Sequence, residues 1–429
     1  MSCDWSLSTV GEVSLKITKG TTPTSIGGNF TATGINFIKV ESLTQEGTFI
    51  GEKFAHIDES TDSKLTRSRL EKNDVLFTIA GTIGRVALVP PWILPANTNQ
   101  AVAIIRPNQE KINPRYLLYV LSDKERIKHA LTRVVQSVQA NFSLSELAEL
   151  TIPLPPLAEQ ERIASILGAL DDKIELNSKM NETLEQITKA QFKSWFIDFD
   201  PVHAKATGRQ PAGMDRATAD LFPDSFVDSE LGKIPGGWKA GCLSNLSEFS
   251  RESINPGESP SEIFDHYSLP SFDEGKAPKA EAGSEIKSNK LVVTKTCVLL
   301  SKLNPHIPRI WLPNLHASRR SICSTEFIVA SAMEGCTREY LYALFISEYF
   351  SRTYGTLVTG TTGSHQRIRA ESVLQMRLPI APAKLISSFT NTIAPMLNRV
   401  ASNNKESQTL AELRDTLLPQ LLNGDLKVA

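Results

Sequence analysis

The feature that most constrains this chain is a long helical stretch that occurs twice, a constant 226 residues apart. The first copy, Thr151 to Pro201, opens with the run Ile152-Pro153-Leu154-Pro155-Pro156. A residue before proline is pushed out of the helical region, so this lead is extended. From Ala158 to about Phe196 only Gly168 interrupts the helix formers. Apolar or small positions recur in steps of four and three at Ile163, Leu167, Leu170, Ile174, Asn177, Asn181, Leu184, Thr188, Gln191 and Trp195. That is a heptad seam, the mark of a helix packed lengthwise on another. The second copy runs from Leu378 to Asp425. Pro153 falls on Pro379, Pro156 on Pro382, Ile163 on Phe389, Leu167 on Ile393, Leu170 on Met396, Ile174 on Val400, Asn177 on Asn403 and Leu184 on Leu410. No gap is needed. The chain reads globular, helix, globular, helix: a tandem duplication of long period.

A chain of 429 residues has room for two or three domains with substantial cores. Its 46 basic and 47 acidic residues nearly cancel, so a nucleic-acid binder of this composition needs its positive charge gathered on one face. Five scattered cysteines (Cys3, Cys242, Cys297, Cys323, Cys336), with no C-x-x-C pair, imply a reducing cytoplasm without a disulfide framework or zinc ribbon. The start MSCDWSLSTV has no signal-peptide pattern, and no apolar run reaches the length of a membrane span. A cytoplasmic protein that does not engage a membrane is expected.

Along the chain, residues 1–152 read as a first globular head, 153–198 as a central helical spacer and 199–236 as an extended tether. Residues 237–379 form a second head and 380–429 a distal helical spacer. In the first head, strand-like runs lie at Asn36 to Val40, Asp74 to Ala80, Arg85 to Val89 and Ala101 to Ile105, before an amphipathic helix over Pro114 to Arg133. The second head repeats this order: Cys297 to Leu300 corresponds to Asp74 to Phe77, and Glu339 to Leu344 to Arg115 to Val120. Strands mixed with helices make each head α+β. The tether carries Pro201, Pro211, Pro223 and Pro235, with one short helix expected around Asp215 to Leu221.

Motifs of catalysis are missing. There is no phosphate loop of the form G-x-x-x-x-G-K-[ST], no G-x-G-x-x-G after a strand, and no ligand spacing among the seven histidines. Pro223-Asp224 with Asp228, Glu230 and Lys233 only glances at a nuclease signature, because Glu230 and Lys233 are three apart instead of two. What remains suits contact. In the second head Gly360 to Arg369 is a hydroxyl-rich loop carrying His365, Gln366, Arg367 and Arg369, and its counterpart in the first head, Val135 to Phe142, carries Gln139 and Asn141. Small residues let the backbone approach phosphates, Arg takes guanine bidentately, and Gln or Asn takes adenine. Lys302, His306, Arg309, Arg319 and Arg320 add a basic cluster to the second head; Lys19, Thr21, Thr22, Arg67, Arg69 and Arg85 do so in the first. A solvated surface is the plain alternative for any one of these residues. Their recurrence at equivalent places in both heads is what favours contact.

Leu154-Pro155-Pro156-Leu157-Ala158-Glu159-Gln160-Glu161-Arg162-Ile163, opening a long helix after a head, resembles the DNA-specificity (S) subunits of type I restriction-modification systems. Lys19-Gly20-Thr21-Thr22-Pro23-Thr24 is similar to a Gly-x-Thr-Pro-Ser element near the start of their target recognition domains. Leu231 to Trp238 looks like the opening of their second such domain, and Leu417 to Leu426 like their usual ending. The second copy departs by replacing Leu-Ala-Glu-Gln-Glu-Arg with Ala383 to Ser388 and by placing Pro395 inside the helix, so the halves are not equivalent partner surfaces. The resemblance implies an α+β fold of two target recognition domains separated by two long antiparallel coiled-coil helices. It implies a non-catalytic subunit that reads a bipartite, asymmetric duplex DNA target and docks two methylation (M) subunits and restriction (R) subunits. S-adenosylmethionine, ATP and Mg would belong to those partners, with no cofactor or metal held by this chain. A self-sufficient DNA-modifying enzyme and a protein-binding coiled-coil scaffold are the alternatives.

Helix pairing is expected through Ile163, Leu167, Leu170, Ile174, Asn177 and Leu184 on one side and Phe389, Ile393, Met396, Val400, Asn403 and Leu410 on the other. Asn177 and Asn403 are the midpoints of their segments, so antiparallel helices with level ends bring them face to face. A polar pair in an apolar seam fixes register. Ile166, Leu176, Met180 and Ile187 form a second strip off the seam, which the resemblance assigns to the methylation subunits.

Overall fold

The computed structural model describes residues 5–44, 47–123, 125–128, 142–316, 318–359 and 366–426. Two compact units are formed: Met1–Ile174 with Thr409–Ala429, and Glu175–Gln408. The proximal helix spans Leu157–Phe196 and the distal helix Ala383–Leu422, 40 residues each.

In the first unit, the head is built on a four-stranded antiparallel sheet in the order Ser14–Lys19, Val102–Pro107, Val75–Thr78, Val86–Leu88. A second sheet orders Phe30–Thr31, Ala55–Ile57, Ile35–Ile38 and Ala96–Thr98, the last pair being parallel. The helix Pro114–Ser122 starts at Asn113, whose side chain accepts from the amides of Arg115 and Tyr116; the chain leaves it at Asp123 and is helical again at 125–128, and the expected end at Arg133 lies outside the described residues. Its inner face, Tyr116, Leu117 and Val120, is buried with Ile163, Leu167, Leu421 and Leu422, so the start of the proximal helix and the end of the distal helix share one core. Ser6–Thr9 pairs with Thr151–Leu154, which closes the head directly before the proximal helix.

Polar side chains tie the proximal helix down. Gln160 is fully buried: its Oε1 accepts from Asn113 N at 2.8 Å and its Nε2 donates to Pro155 O at 2.8 Å. The glutamine of the Leu-Ala-Glu-Gln-Glu-Arg run is thus an internal staple. Gly168, the one weak residue of the helix, leaves room for the Arg115 guanidinium, which donates to its carbonyl at 3.1 Å. Across the helix pair, Arg414 meets Asp171 at 2.9 Å.

In the second unit the head repeats the first sheet strand for strand: Ser247–Ser250, Phe327–Ala332, Cys297–Ser301, Ile310–Trp311. Val75 faces Ile105 in one head and Val298 faces Ala330 in the other. Its other sheet has five strands, Ser253–Ile254, Lys290–Val292, Ser321–Cys323, Ile263–Tyr267 and Lys279–Ala282. Lys239–Cys242 pairs with Arg377–Ile380, closing this head before the distal helix. Phe389 of the distal helix sits 5.8, 5.5 and 5.0 Å from the rings of Phe192, Trp195 and Phe196. Here the end of the proximal helix meets the start of the distal one. The pairing is antiparallel.

Residues 199–236 do not run extended. They fold into a helix Asp200–Ala206, a turn of helix Arg216–Ala219 capped by Asp215, and a hairpin Phe226–Ser229/Gly232–Pro235. Proline spacing suggested a tether, but Val202, Phe222 and Ile234 are buried in the core around Trp195 and Phe196, and that burial outweighs the local preference.

At the seam of the second unit, Asn177 and Asn403 are buried, while Leu184, Met396 and Val400 are half-buried. Asn177 Nδ2 donates to Glu406 Oε2 at 2.9 Å, to Ser407 Oγ at 3.3 Å and to Asn403 O at 3.5 Å. Asn403 Nδ2 donates to Asn181 Oδ1 at 2.8 Å, and Asn181 Nδ2 to Asn404 Oδ1 at 2.7 Å. Ser407 and Asn181 are equivalent under the 226-residue shift, so the node is nearly two-fold.

Candidate nucleic-acid interface

The antiparallel order of the main sheet gathers polar loops at one of its ends. In the first head, Lys19 faces Ala103 and Thr78 faces Val102, so the loops after Lys19, after Thr78 and before Val102 adjoin. Gly20 is pressed against the Thr98–Asn99 backbone, where a Cβ would lie 1.8 Å from Thr98 O; only glycine fits. Thr22 Oγ1 bonds the Gln100 side chain. Arg67 donates to Thr21 Oγ1 at 3.4 Å, and Lys16 Nζ caps Arg67 O at 2.7 Å. Beneath them Asn97, fully buried, accepts from Ser68 and donates to Asp62 and the Leu65 carbonyl, while Arg69 meets Asp62 at 2.7 Å. Lys19, Thr21, Thr22, Arg67 and Arg69 are thereby brought onto one locked surface, together with Lys16 and Gln100. Among the described residues no carboxylate pairs with Lys16, Lys19 or Arg67. Arg85 stands at the base of the hairpin loop and is spent internally, donating to the carbonyls of Val40 at 3.1 Å and Leu43 at 2.5 Å.

The same end of the second head is assembled by the same backbone bonds. Ile79 N donates to Ala101 O and Phe142 N to Ile79 O; correspondingly Lys302 N donates to Glu326 O and Ile368 N to Lys302 O. Asn304, in the left-handed region with φ 50°, donates to Gln366 O, and His306 bonds the Gln366 side chain. Lys302, His306, Gln366 and Arg367 are therefore neighbours. Burial pushes the Lys302 ammonium below its usual pKa, with Glu326 opposing and Arg367 adding to the shift. Gln139, Asn141 and His365 lie outside the described residues.

Charge is handled differently here. Arg309 is held by both oxygens of Asp273 at 2.7 and 2.8 Å, Arg367 meets Glu326 at 2.8 Å, Arg319 meets Asp265 at 3.2 Å and Arg320 meets Glu262 at 2.5 Å. Arg319 and Arg320 precede the strand Ser321–Cys323, whereas Ser324 to Glu326 follow it, so that strand separates them from Lys302 and Arg367. Arg369 is exposed at the start of the short helix Ala370–Leu374. Gln100 was open to sequence reasoning, since it ends the amide-rich run Asn97-Thr98-Asn99-Gln100. Asp273, Asp265, Glu262 and Glu326 carried no local signal; they find their arginines 36 to 58 residues away.

The two heads of this duplicated chain thus carry equivalent polar loop ends on equivalent sheets. Residues 3–186 match the family model described as type I restriction modification DNA specificity domain. Beyond the matched residues, the chain is similar over most of its length to specificity subunits of type I restriction enzymes. It is similar to the type I restriction enzyme HindI specificity subunit of Haemophilus influenzae, at 24% identity over 89% of this chain and 93% of the relative. It is also similar to the MjaIX specificity subunit of Methanocaldococcus jannaschii, at 25% identity over 99% and 94%. The crystal structure of the type I restriction-modification S subunit from M. genitalium covers 99% of this chain and 97% of that one, at 16% identity and a TM-score of 0.51, a likeness of fold. Among the described residues no helix is long and apolar enough to cross a membrane.

Proposed function

We propose that this chain reads DNA for a type I restriction-modification complex, each head recognising one part of a bipartite, asymmetric duplex target. The observation that carries the reading is the recurrence of one loop assembly, built by the same backbone bonds, at the same end of the same sheet in both heads. The chain acts as a non-catalytic subunit in the cytoplasm, docking methylation and restriction subunits, with S-adenosylmethionine, ATP and Mg held by those partners. Leu176 and Ile187, exposed on the proximal helix with half-buried Met180 beside them, supply an apolar strip for the methylation subunits. Ile166 does not join that strip, since it packs on the core of the first head.

The test is selection of duplexes from a randomised library by the purified chain, alone and with its methylation subunits. Two short specific segments separated by a spacer of fixed length are expected. Four residues inserted after Asn177 add about 6 Å of helix, so the spacer should lengthen by one or two base pairs at ~3.4 Å each. Selection of no motif, or of a single uninterrupted one, overturns the reading.

A further inference from the structure

The second head holds a carboxylate where the first has none. Glu326 and Ala101 occupy the same point, each giving its carbonyl to the residue that leaves the central strand, Lys302 at 2.8 Å and Ile79 at 2.8 Å. Both points are reached through a side-chain turn. Ala101 N donates to Asn99 Oδ1 at 3.1 Å and Glu326 N to Ser324 Oγ at 3.3 Å. Only at Glu326 does a charged side chain project from that turn, and its Oε1 accepts from Arg367 NH2 at 2.8 Å.

Arg367 itself stands on a fixed backbone. It bridges Leu303, with Asn304 N bonded to Gln366 O at 3.0 Å and Ile368 N to Lys302 O at 3.1 Å. Its side chain is 62% exposed and that of Glu326 30%, so the pair sits at the surface on a rigid base. A long arginine loses rotamer freedom when it meets a partner; a carboxylate that already sets the guanidinium plane removes part of that cost.

Resting on the DNA reading above, we propose that Glu326 is a positioning residue for sequence recognition by the second head. Its carboxylate sets the plane in which Arg367 meets a base edge. A bidentate contact to guanine needs that plane held; a phosphate contact does not. The first head, with alanine at this point, works without such a clamp.

The experiment is duplex selection with the full chain as wild type, E326Q, E326D and R367A. We expect E326Q to weaken discrimination roughly three- to tenfold, the fold-change of one ordered side chain. The loss should fall on the second-half-site positions that R367A relaxes, with the first half-site unchanged. E326D, keeping the charge, should recover part of the preference. Three outcomes overturn the proposal: E326Q selecting the wild-type motif undiminished, R367A relaxing no position, or E326Q binding all sequences more tightly with a steeper salt dependence. The last would make Glu326 a screen between Arg367 and phosphate. A wild-type chain that selects no motif would instead remove the DNA reading itself.

Discussion

Arg85 and Arg309 stand at the same point of the two heads, where the strand after the hairpin loop gives its carbonyl to Thr78 N or Ser301 N. Arg85 spends its charge on backbone carbonyls of the turn Val40–Ser42, and Arg309 on the carboxylate of Asp273 at the end of a short helix. The contrast extends across the heads. The first leaves Lys16, Lys19 and Arg67 without a carboxylate among the described residues; the second pairs Arg309, Arg319, Arg320 and Arg367 with one each. The contrast lies in these particular cations and not in either head as a whole, since the first head also pairs Arg69 with Asp62 and Arg106 with Asp74. Equivalent topology does not give equivalent electrostatics.

The largest expected effect tests that contrast directly. Cations that meet phosphate release counterions, at ~0.9 in the slope of log K against log salt per contact. Alanine at Lys16, Lys19 and Arg67 together should flatten the slope by nearly three, on any sequence. Alanine at Arg309, Arg319 and Arg320 together should change it by less than about one, because those charges are already matched within the chain. Filter binding over a salt series decides, and equal losses from the two triples would erase the comparison.

Next in size is the stability cost of the two equivalent arginines. Arg85→Ala strips the buried Leu43 carbonyl of its side-chain donor and leaves the Val40 carbonyl with the Leu43 amide alone; leaving a buried group unsatisfied costs about 2 kcal/mol. Arg309→Ala leaves Asp273, whose side chain is half exposed and solvated by water, for about 1 kcal/mol. Hydrogen exchange at Val75–Thr78 in the first variant and at Cys297–Ser301 in the second reads each head by itself. A larger loss from Arg309→Ala would show that the ion pair, not the carbonyl contacts, is the stronger brace.

The difference also explains what the sequence made legible. The repeat of the helices could be aligned without a gap because a seam needs apolar residues at fixed steps, and those steps survive divergence of everything else. The heads' strand order was readable at Asp74 to Phe77 and Cys297 to Leu300 for the same reason, burial on both faces. Charge pairing was not. Arg320 and Glu262 are 58 residues apart and meet only because Ile263–Tyr267 and Ser321–Cys323 run parallel. In the proline-rich segment 199–236 the short helix near Asp215 was legible, whereas the burial of Val202, Phe222 and Ile234 was not, because they answer to a core assembled from distant residues. Gln160 is an internal staple within a run of charged residues, and its equivalent in the second copy, Ile386, is buried as well.

The smallest expected effect lies where the two copies still agree. Asn177 and Asn403 each donate across the seam, and each leaves its own Oδ1 buried without a partner. An orphaned acceptor costs ~1–3 kcal/mol and the amide donation returns about 1 kcal/mol, so the node is close to neutral or slightly destabilising. Replacing both with leucine, N177L with N403L, should therefore leave stability within about 1 kcal/mol of wild type or raise it. Its contribution is to register: a slip by one turn would break the donations from Asn177 to Glu406 and from Asn181 to Asn404. Cysteines at Asn181 and Asn404, whose side chains touch at 2.7 Å, trap the native register; cysteines at Asn181 and Gln408 trap a slip of one turn. In the otherwise native chain only the first pair should cross-link, and in the double leucine background the second should become detectable. If the leucine variant cross-links through Asn181 and Asn404 alone, at an unchanged rate, the apolar ends of the seam hold the register and the node is a relic of the duplication.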